Sequence, residues 1–361
     1  MIVFIDNKQN ISSEFRPPRY YLFSMVLTKE NYKTECIFGS WHHQIKRRKS
    51  ENYDNVSFIN NLSYNSHIGP RRLFSELLFG FQVLFKKYKL IKNAKLIVLN
   101  DSGILYNYIF YLIKPFFSYK ILLDSNDLWP EIFFKSELLK KLSYFIKSLI
   151  YKNSNYLIAV NTEYLEYYKY LKHKNCGVIY LGLSNDETRK LECNLYDKDS
   201  NRLLYLGSFG ANYMIDELID FVIKNKKWSI DFYGSGDKRD IIVNALNLSN
   251  GRVRLFNPTS LEEIKIKNIK YSYGIALYDK RSLVKFPTKL FDYWIFSLPV
   301  IVNVGNEVEK MLNNNPVLGF FLKDSLSQKD ISNHQSISKN NFSELDFSID
   351  TDVKSLFKKI I

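Results

Sequence analysis

The stretch FPTKLFDYWIFSLPVIVN, Phe286 to Asn303, divides into a short helix and a buried strand. Pro287 suits the first turn of a helix, where its missing N–H has no partner to lose. Lys289 and Asp292 are three positions apart and so fall on one helical face near that terminus. Leu298, Pro299, Val300 and Ile301 then carry the chain into an apolar run with no alternation, as a strand covered on both faces requires. A helix feeding a fully buried strand is half of a parallel crossover, so this stretch predicts an α/β domain.

The same alternation continues on both sides of it. Upstream lie the strand-like segments RLLYLGSF, WSIDFYGSG, RVRLFN and YGIALYD, with helical patterns such as MIDELIDFVIKN between them. The first half repeats the style with IVFI, CIFG, KLIVLN, KILLDSND and YLIAVN, separated by RRLFSELLFGFQVLFKKYKLIK and SELLKKLSYFIKSLIYK. The expectation is an α/β chain of two Rossmann-like, doubly wound parallel-sheet domains facing each other across a cleft. One domain covers residues 1–183, joined by a closing helix at 350–361; a polar linker covers 184–200; the other domain covers 201–349. The Ser/Asn-rich residues 325–349 read as loop.

Ligands of open parallel sheets bind beyond the carboxyl ends of the strands, so strand ends carry the functional reading. In LLYLGSFGANYMIDEL, Gly207 and Gly210 lie between a strand and a helix starting near Tyr213, where glycine lets the backbone approach a phosphate. Glycine also serves there simply to make the turn, and both readings stand. In IDFYGSGDKRD, Gly234 and Gly236 follow the next strand, and a simple loop accounts for them taken singly. Lys289 and Asp292 supply a cation suited to a diphosphate and an acid suited to a ribose hydroxyl pair.

These three segments together resemble the donor-binding domain of glycosyltransferase family 4, in the bacterial branch that builds O-antigen, capsule and related surface polysaccharides. The GxxG turn is matched by Gly207, Ser208, Phe209 and Gly210, and the following Gly-x-Gly by Gly234 to Gly236. The P-x-K-x-x-E-Y helix and its G-x-P-V-I strand are matched by Pro287, Lys289, Asp292, Tyr293, Pro299, Val300 and Ile301. SWHHQIKRRK, YNSHIGPRR and SNDLWPE in the first half resemble segments of the same branch.

The resemblance implies a GT-B fold and transfer of a sugar from a nucleotide diphosphate, UDP favoured, to a saccharide acceptor carried on a polyprenyl diphosphate. It implies retention of anomeric configuration, the donor's own phosphate serving as base, without a metal or other cofactor. It places donor contacts at Gly207, Ser208, Gly210, Asn212, Gly234, Gly236, Lys289 and Asp292. Asp127, with Glu131 nearby, is the candidate protein acid or base, although Asp127 equally suits a helix N-cap. His67, Arg71 and Arg72 are candidates for an acceptor phosphate. The chain departs from the branch at Val284, where a first acid is usual, at Asn126, where a histidine is usual, and at Ser297, where a glycine is usual. It also lacks the cations that commonly follow the first glycine.

Charge bears on partners. Residues 1–180 hold 26 Lys+Arg against 14 Asp+Glu, whereas residues 181–361 hold 25 against 23, so the excess belongs to the first half. That asymmetry suits an anionic membrane surface. SELLKKLSYFIKSLIYK adds a basic amphipathic stretch, whose Leu139, Leu142, Phe145, Ile146 and Leu149 fall on one side; core packing is the first explanation for it. No nucleic-acid module accompanies the charge, so no nucleic-acid partner is expected. Three separated cysteines and a start, MIVFIDNKQN, unlike a signal peptide, suit a cytoplasmic protein peripheral at the inner face of the plasma membrane. Two other readings compete: a nucleotide-sugar epimerase of the same layout, and a non-catalytic GT-B scaffold subunit.

Overall fold

The structure, a computed structural model, describes residues 1–8, 17–42, 47–48, 53–64, 69–126, 136–167, 175–282, 284–337 and 348–361. The chain forms two compact units, residues Met1–Tyr180 with Ile349–Ile361 and residues Leu181–Ser348.

The first unit opens with β1 (Ile2–Asp6), α1 (Arg19–Lys29), β2 (Thr34–Gly39), the short hairpin of β3 (Trp41–His42) and β4 (Arg47–Arg48), and β5 (Val56–Ile59). It continues through α2 (Pro70–Lys86), α3 (Tyr88–Lys92), β6 (Leu96–Asn100), α4 (Ile104–Ile113), β7 (Lys120–Ser125), α5 (Glu137–Asn153), β8 (Tyr156–Ala159), α6 (Thr162–Tyr167) and β9 (Cys176–Val178). Seven of these strands form a parallel sheet ordered β5-β2-β1-β6-β7-β8-β9. Every residue of β1 and β6 is buried, which is why both read as unbroken apolar runs.

The second unit runs α7 (Asn185–Leu191), β10 (Arg202–Leu206), α8 (Ile215–Lys224), β11 (Ser229–Tyr233), α9 (Arg239–Leu248), β12 (Val253–Phe256), α10 (Leu261–Lys267) and β13 (Tyr273–Ala276). Then follow α11 (Lys289–Ile295), β14 (Val300–Val302), α12 (Asn306–Asn314), β15 (Gly319–Phe321) and α13 (Gln328–Ile337). Its sheet is parallel throughout, ordered β12-β11-β10-β13-β14-β15. α14 (Asp350–Ile360) closes the chain and belongs to the first unit, where Phe357 packs on Phe4 and Phe23.

Four local expectations change. The polar stretch 184–200 is not bare chain: it carries α7, capped by the Ser184 hydroxyl accepting the Glu187 N–H. Residues 328–337, expected as loop, form α13, anchored by buried Ile331 and by His334, which hydrogen-bonds Tyr273 and the Pro316 carbonyl. The helical pattern from Arg71 to Lys92 breaks at Lys87 into α2 and α3. The apolar stripe of α5 is not core. The buried residues of that helix are Ser143, Lys147, Ile150 and Tyr151, while Leu139, Leu142 and Phe145 face solvent.

Candidate functional site

In the second sheet the chain builds β10, β11 and β12 in one direction, then returns to lay β13, β14 and β15 in the other. The order reverses between β10 and β13, and connections that leave in opposite directions open a crevice at the strands' carboxyl ends. Into that region α11 brings Lys289. Its ammonium lies 4.2 Å from the ring centroid of Tyr205, 4.5 Å from that of Tyr213 and 5.7 Å from that of Tyr278. Nζ is buried and has no hydrogen-bond partner among the described residues. Burial pulls the amine from its ordinary range down to about 7, with the Asp292 carboxylate one turn on opposing the shift. The three ring faces also favour the charged form.

Long-range contacts place this lysine. Tyr293, four residues on, bridges the two strands: its hydroxyl accepts the Leu206 N–H at 2.9 Å and donates to the Ile275 carbonyl at 2.8 Å. The tyrosine ring takes the space over Gly274, where a Cβ would lie 2.3 Å from ring carbon. Asn303, last residue of the stretch quoted at the outset, fixes Tyr278 by accepting its N–H and donating to its carbonyl, each at 2.8 Å.

The two glycine turns interlock beside Lys289. Gly207 N–H donates to the Tyr233 carbonyl and Phe209 N–H to the Ser235 carbonyl, each at 2.9 Å. A Cβ on Gly207, whose φ is 111°, would stand 3.7 Å from Lys289 Nζ, so the turn runs directly past the amine. The N–H groups of Ser208 and Gly210 make no hydrogen bond among the described residues. A buried amine with unused hydrogen-bonding capacity, aromatic walls and unused backbone donors together suit an anion with several oxygens.

The expected donor residues Gly207, Ser208, Gly210, Gly234, Gly236 and Lys289 therefore come together at one sheet end. Asn212 is exposed, its carbonyl accepting the Asp279 N–H at 2.9 Å, and Asp292 is half-buried. Asp127, Glu131 and His67 lie outside the described residues. Arg71 is exposed and donates to the Ser63 carbonyl at 2.7 Å, whereas Arg72 is buried and ion-paired with Glu76 at 3.7 Å. Among the described residues no three His, Cys, Asp or Glu side chains converge as metal ligands would.

The first sheet has its own reversal, between β1 and β6. Asn100 donates to Asp6 Oδ2 at 2.7 Å, and Asp101 accepts from Ser125 Oγ and Tyr151 OH at 2.9 and 2.8 Å. Both polar atoms of the buried Asn7 amide lack a hydrogen-bond partner among the described residues. Burial raises the Glu76 carboxyl above its ordinary range, against the pull of Lys8 and Arg72. Sequence reading passed over Asn7, Asn100, Asp101 and Tyr278, although each lies at a strand's carboxyl end or within two residues of it.

No protein-family model and no curated protein sequence matches the chain. Solved structures do. Sucrose-phosphate synthase from Thermosynechococcus elongatus is similar with a TM-score of 0.73 at 15% identity, over 99% of this chain and 98% of that one. Anabaena HepE, solved in complex with UDP, gives 0.64 at 12% identity over 99% of each chain. WaaG, a glycosyltransferase involved in lipopolysaccharide biosynthesis, gives 0.60 at 10% identity over 98% of this chain and 94% of that one. The likeness is one of fold: two Rossmann-like parallel-sheet domains of the GT-B class.

Proposed function

We propose that the chain is a glycosyltransferase that binds a nucleotide-diphosphate sugar in its second domain. The carrying observation is Lys289, a buried amine without a hydrogen-bond partner among the described residues, beside two interlocked glycine turns at the point where strand order reverses. A diphosphate would supply the hydrogen-bond acceptors that this amine lacks. Lys289 and the N–H groups of Ser208 and Gly210 would stabilise the charge that builds on the leaving diphosphate, and Asp292 would accept from the ribose. UDP is the favoured nucleotide, in keeping with the UDP bound to HepE. Transfer proceeds with retention, without a metal, and with Asp127 as first candidate for any protein acid or base.

The acceptor is proposed to be a saccharide on a polyprenyl diphosphate, met by the first domain at the inner, anionic face of the plasma membrane during surface-polysaccharide synthesis. The basic first half and the WaaG likeness support that reading. Among the described residues no helix is long and apolar enough to cross a membrane, so contact there would be peripheral.

Calorimetry with UDP-, GDP-, dTDP- and ADP-sugars tests donor binding, followed by product analysis with and without acceptor. Transfer only with acceptor is the expected result. An epimer formed without acceptor would assign the chain to the epimerases instead, and binding of none of the donors would leave a scaffold role.

The low pKa of Lys289 sets a pH dependence. The diphosphate diester of a nucleotide sugar stays anionic across neutral pH, so only the protein side titrates. Binding requires the ammonium, so affinity is full below pH 7 and falls by about tenfold per unit above it, until the raised pKa of the complex is reached. Calorimetry in buffers of different ionisation enthalpy should show about one proton taken up at pH 8.5 and little at pH 6. A flat affinity from pH 6 to pH 9 would remove Lys289 from the site.

A further inference from the structure

Three helices of the first domain turn large apolar side chains into solvent. α2 presents Phe74, Phe81 and Phe85, the turn after α4 presents Phe116 at 83% exposure, and α5 presents Leu142 and Phe145. On α2 the exposed phenylalanines recur at intervals of seven and four, so they form one stripe. α2 packs on α4 and α4 on α5. The connections β5 to β6, β6 to β7 and β7 to β8 all step the same way along the sheet, and right-handed crossovers then place all three helices on one side. Their outer surfaces make a continuous face.

Among the described residues the unpaired charge of those helices has one sign. Of the acids described from α2 to α5, Glu76, Asp101 and Asp124 are buried, and the exposed Glu137 is paired with Lys140 at 2.7 Å. Lys86 at the end of α2, Lys89 on the adjoining α3 and Lys141 on α5 are exposed. We propose that the α2–α4–α5 face seats the protein on an anionic lipid bilayer, its phenylalanines entering the headgroup boundary and its lysines meeting lipid phosphates. Aromatic and leucine side chains flanked by lysine are the composition that binds such an interface. A second copy fits less well, because a two-fold pairing would set lysine against lysine. The proposal rests on the reading above for its purpose, since it brings the first domain to a lipid-carried acceptor.

The test is co-sedimentation of the full chain at low salt with phosphatidylcholine vesicles, with and without about one-third phosphatidylglycerol. The wild type should partition onto the anionic vesicles and be released by salt. Phe85→Ser with Phe116→Ser and Phe145→Ser should lower that partition by about tenfold or more, and Lys86→Glu with Lys89→Glu and Lys141→Glu should do likewise. Because all six side chains are exposed or lie outside the core, far-UV circular dichroism and nucleotide-sugar binding should not change. Three results would overturn the proposal: no partition of the wild type, equal partition of wild type and triple-serine variant, or a lipid-independent dimer that the serines abolish. Vesicle binding without any donor binding would sink the transferase reading and leave this face standing; transfer to a soluble acceptor without vesicle binding would do the reverse.

Discussion

Replacing Lys289 by methionine is expected to weaken nucleotide-sugar binding by about a hundredfold, in line with the loss of a charge-assisted contact to a diphosphate in a buried site. The same substitution should stabilise the ligand-free protein. Methionine keeps the length and packing of the side chain among Tyr205, Tyr213 and Tyr278 while removing an amine that has no hydrogen-bond partner among the described residues. The sign follows from linkage. The amine titrates near 7 in the folded chain and near 10.5 when unfolded, so between those values the unfolded state binds more protons and stability rises with pH. Below pH 7 that contribution is lost. The wild type should therefore gain on the order of a few kcal/mol from pH 7 to pH 10 relative to Lys289→Met, before other groups are counted. Thermal unfolding with and without UDP-glucose reads both effects, and a variant that keeps the ligand-induced shift would undo the diphosphate assignment. More stable without ligand and weaker with it is the signature of a side chain held for binding.

Gly234→Ala is expected to cost the second domain about 3 kcal/mol or more. A Cβ there would lie 1.8 Å from the Gly207 carbonyl oxygen and 2.8 Å from its carbon, both backbone atoms that cannot rotate away. Relief would require β10 and β11 to part, breaking the Gly207 N–H to Tyr233 bond and the parallel register behind it. Gly210→Ala is the control: its Cβ would meet only Ser208 Oγ at 3.5 Å and the Tyr213 ring at 3.9 Å, ordinary contacts. Urea unfolding followed by tryptophan fluorescence reports this domain through buried Trp228 and Trp294. Equal midpoints for the two variants would show that the turns do not need their close approach.

Much of the candidate site in the second domain was legible in the chain. The interval between Lys289 and Asp292, the placement of four glycines after two strands, and the apolar run at Val300 are local features, and local features survive in sequence. The polar end of the first sheet was harder to see, because Asp6, Asn100 and Asp101 come from segments about ninety residues apart. α13 was missed for a related reason. Its sequence QKDISNHQSI is polar and weakly patterned, and its helix is held by contacts to Tyr273 and Pro316 rather than by propensity. β15 was missed because a three-residue strand, Gly319–Phe321, carries too few positions for a period to show.

Alternating buried strands and amphipathic helices determined, from the chain alone, that two parallel sheets would form, because a strand covered on both faces must be apolar throughout and a covering helix on one face only. The tertiary structure decided two things that periodicity does not encode. One is that Lys289 sits among the rings of Tyr205, Tyr213 and Tyr278, a neighbourhood assembled across 84 positions of sequence by a parallel crossover. The other is the direction of the α5 stripe: a period identifies which residues share a face, but only packing selects the face turned inward, and here Lys147 and Tyr151 reach Asp101 while Leu142 and Phe145 remain outside.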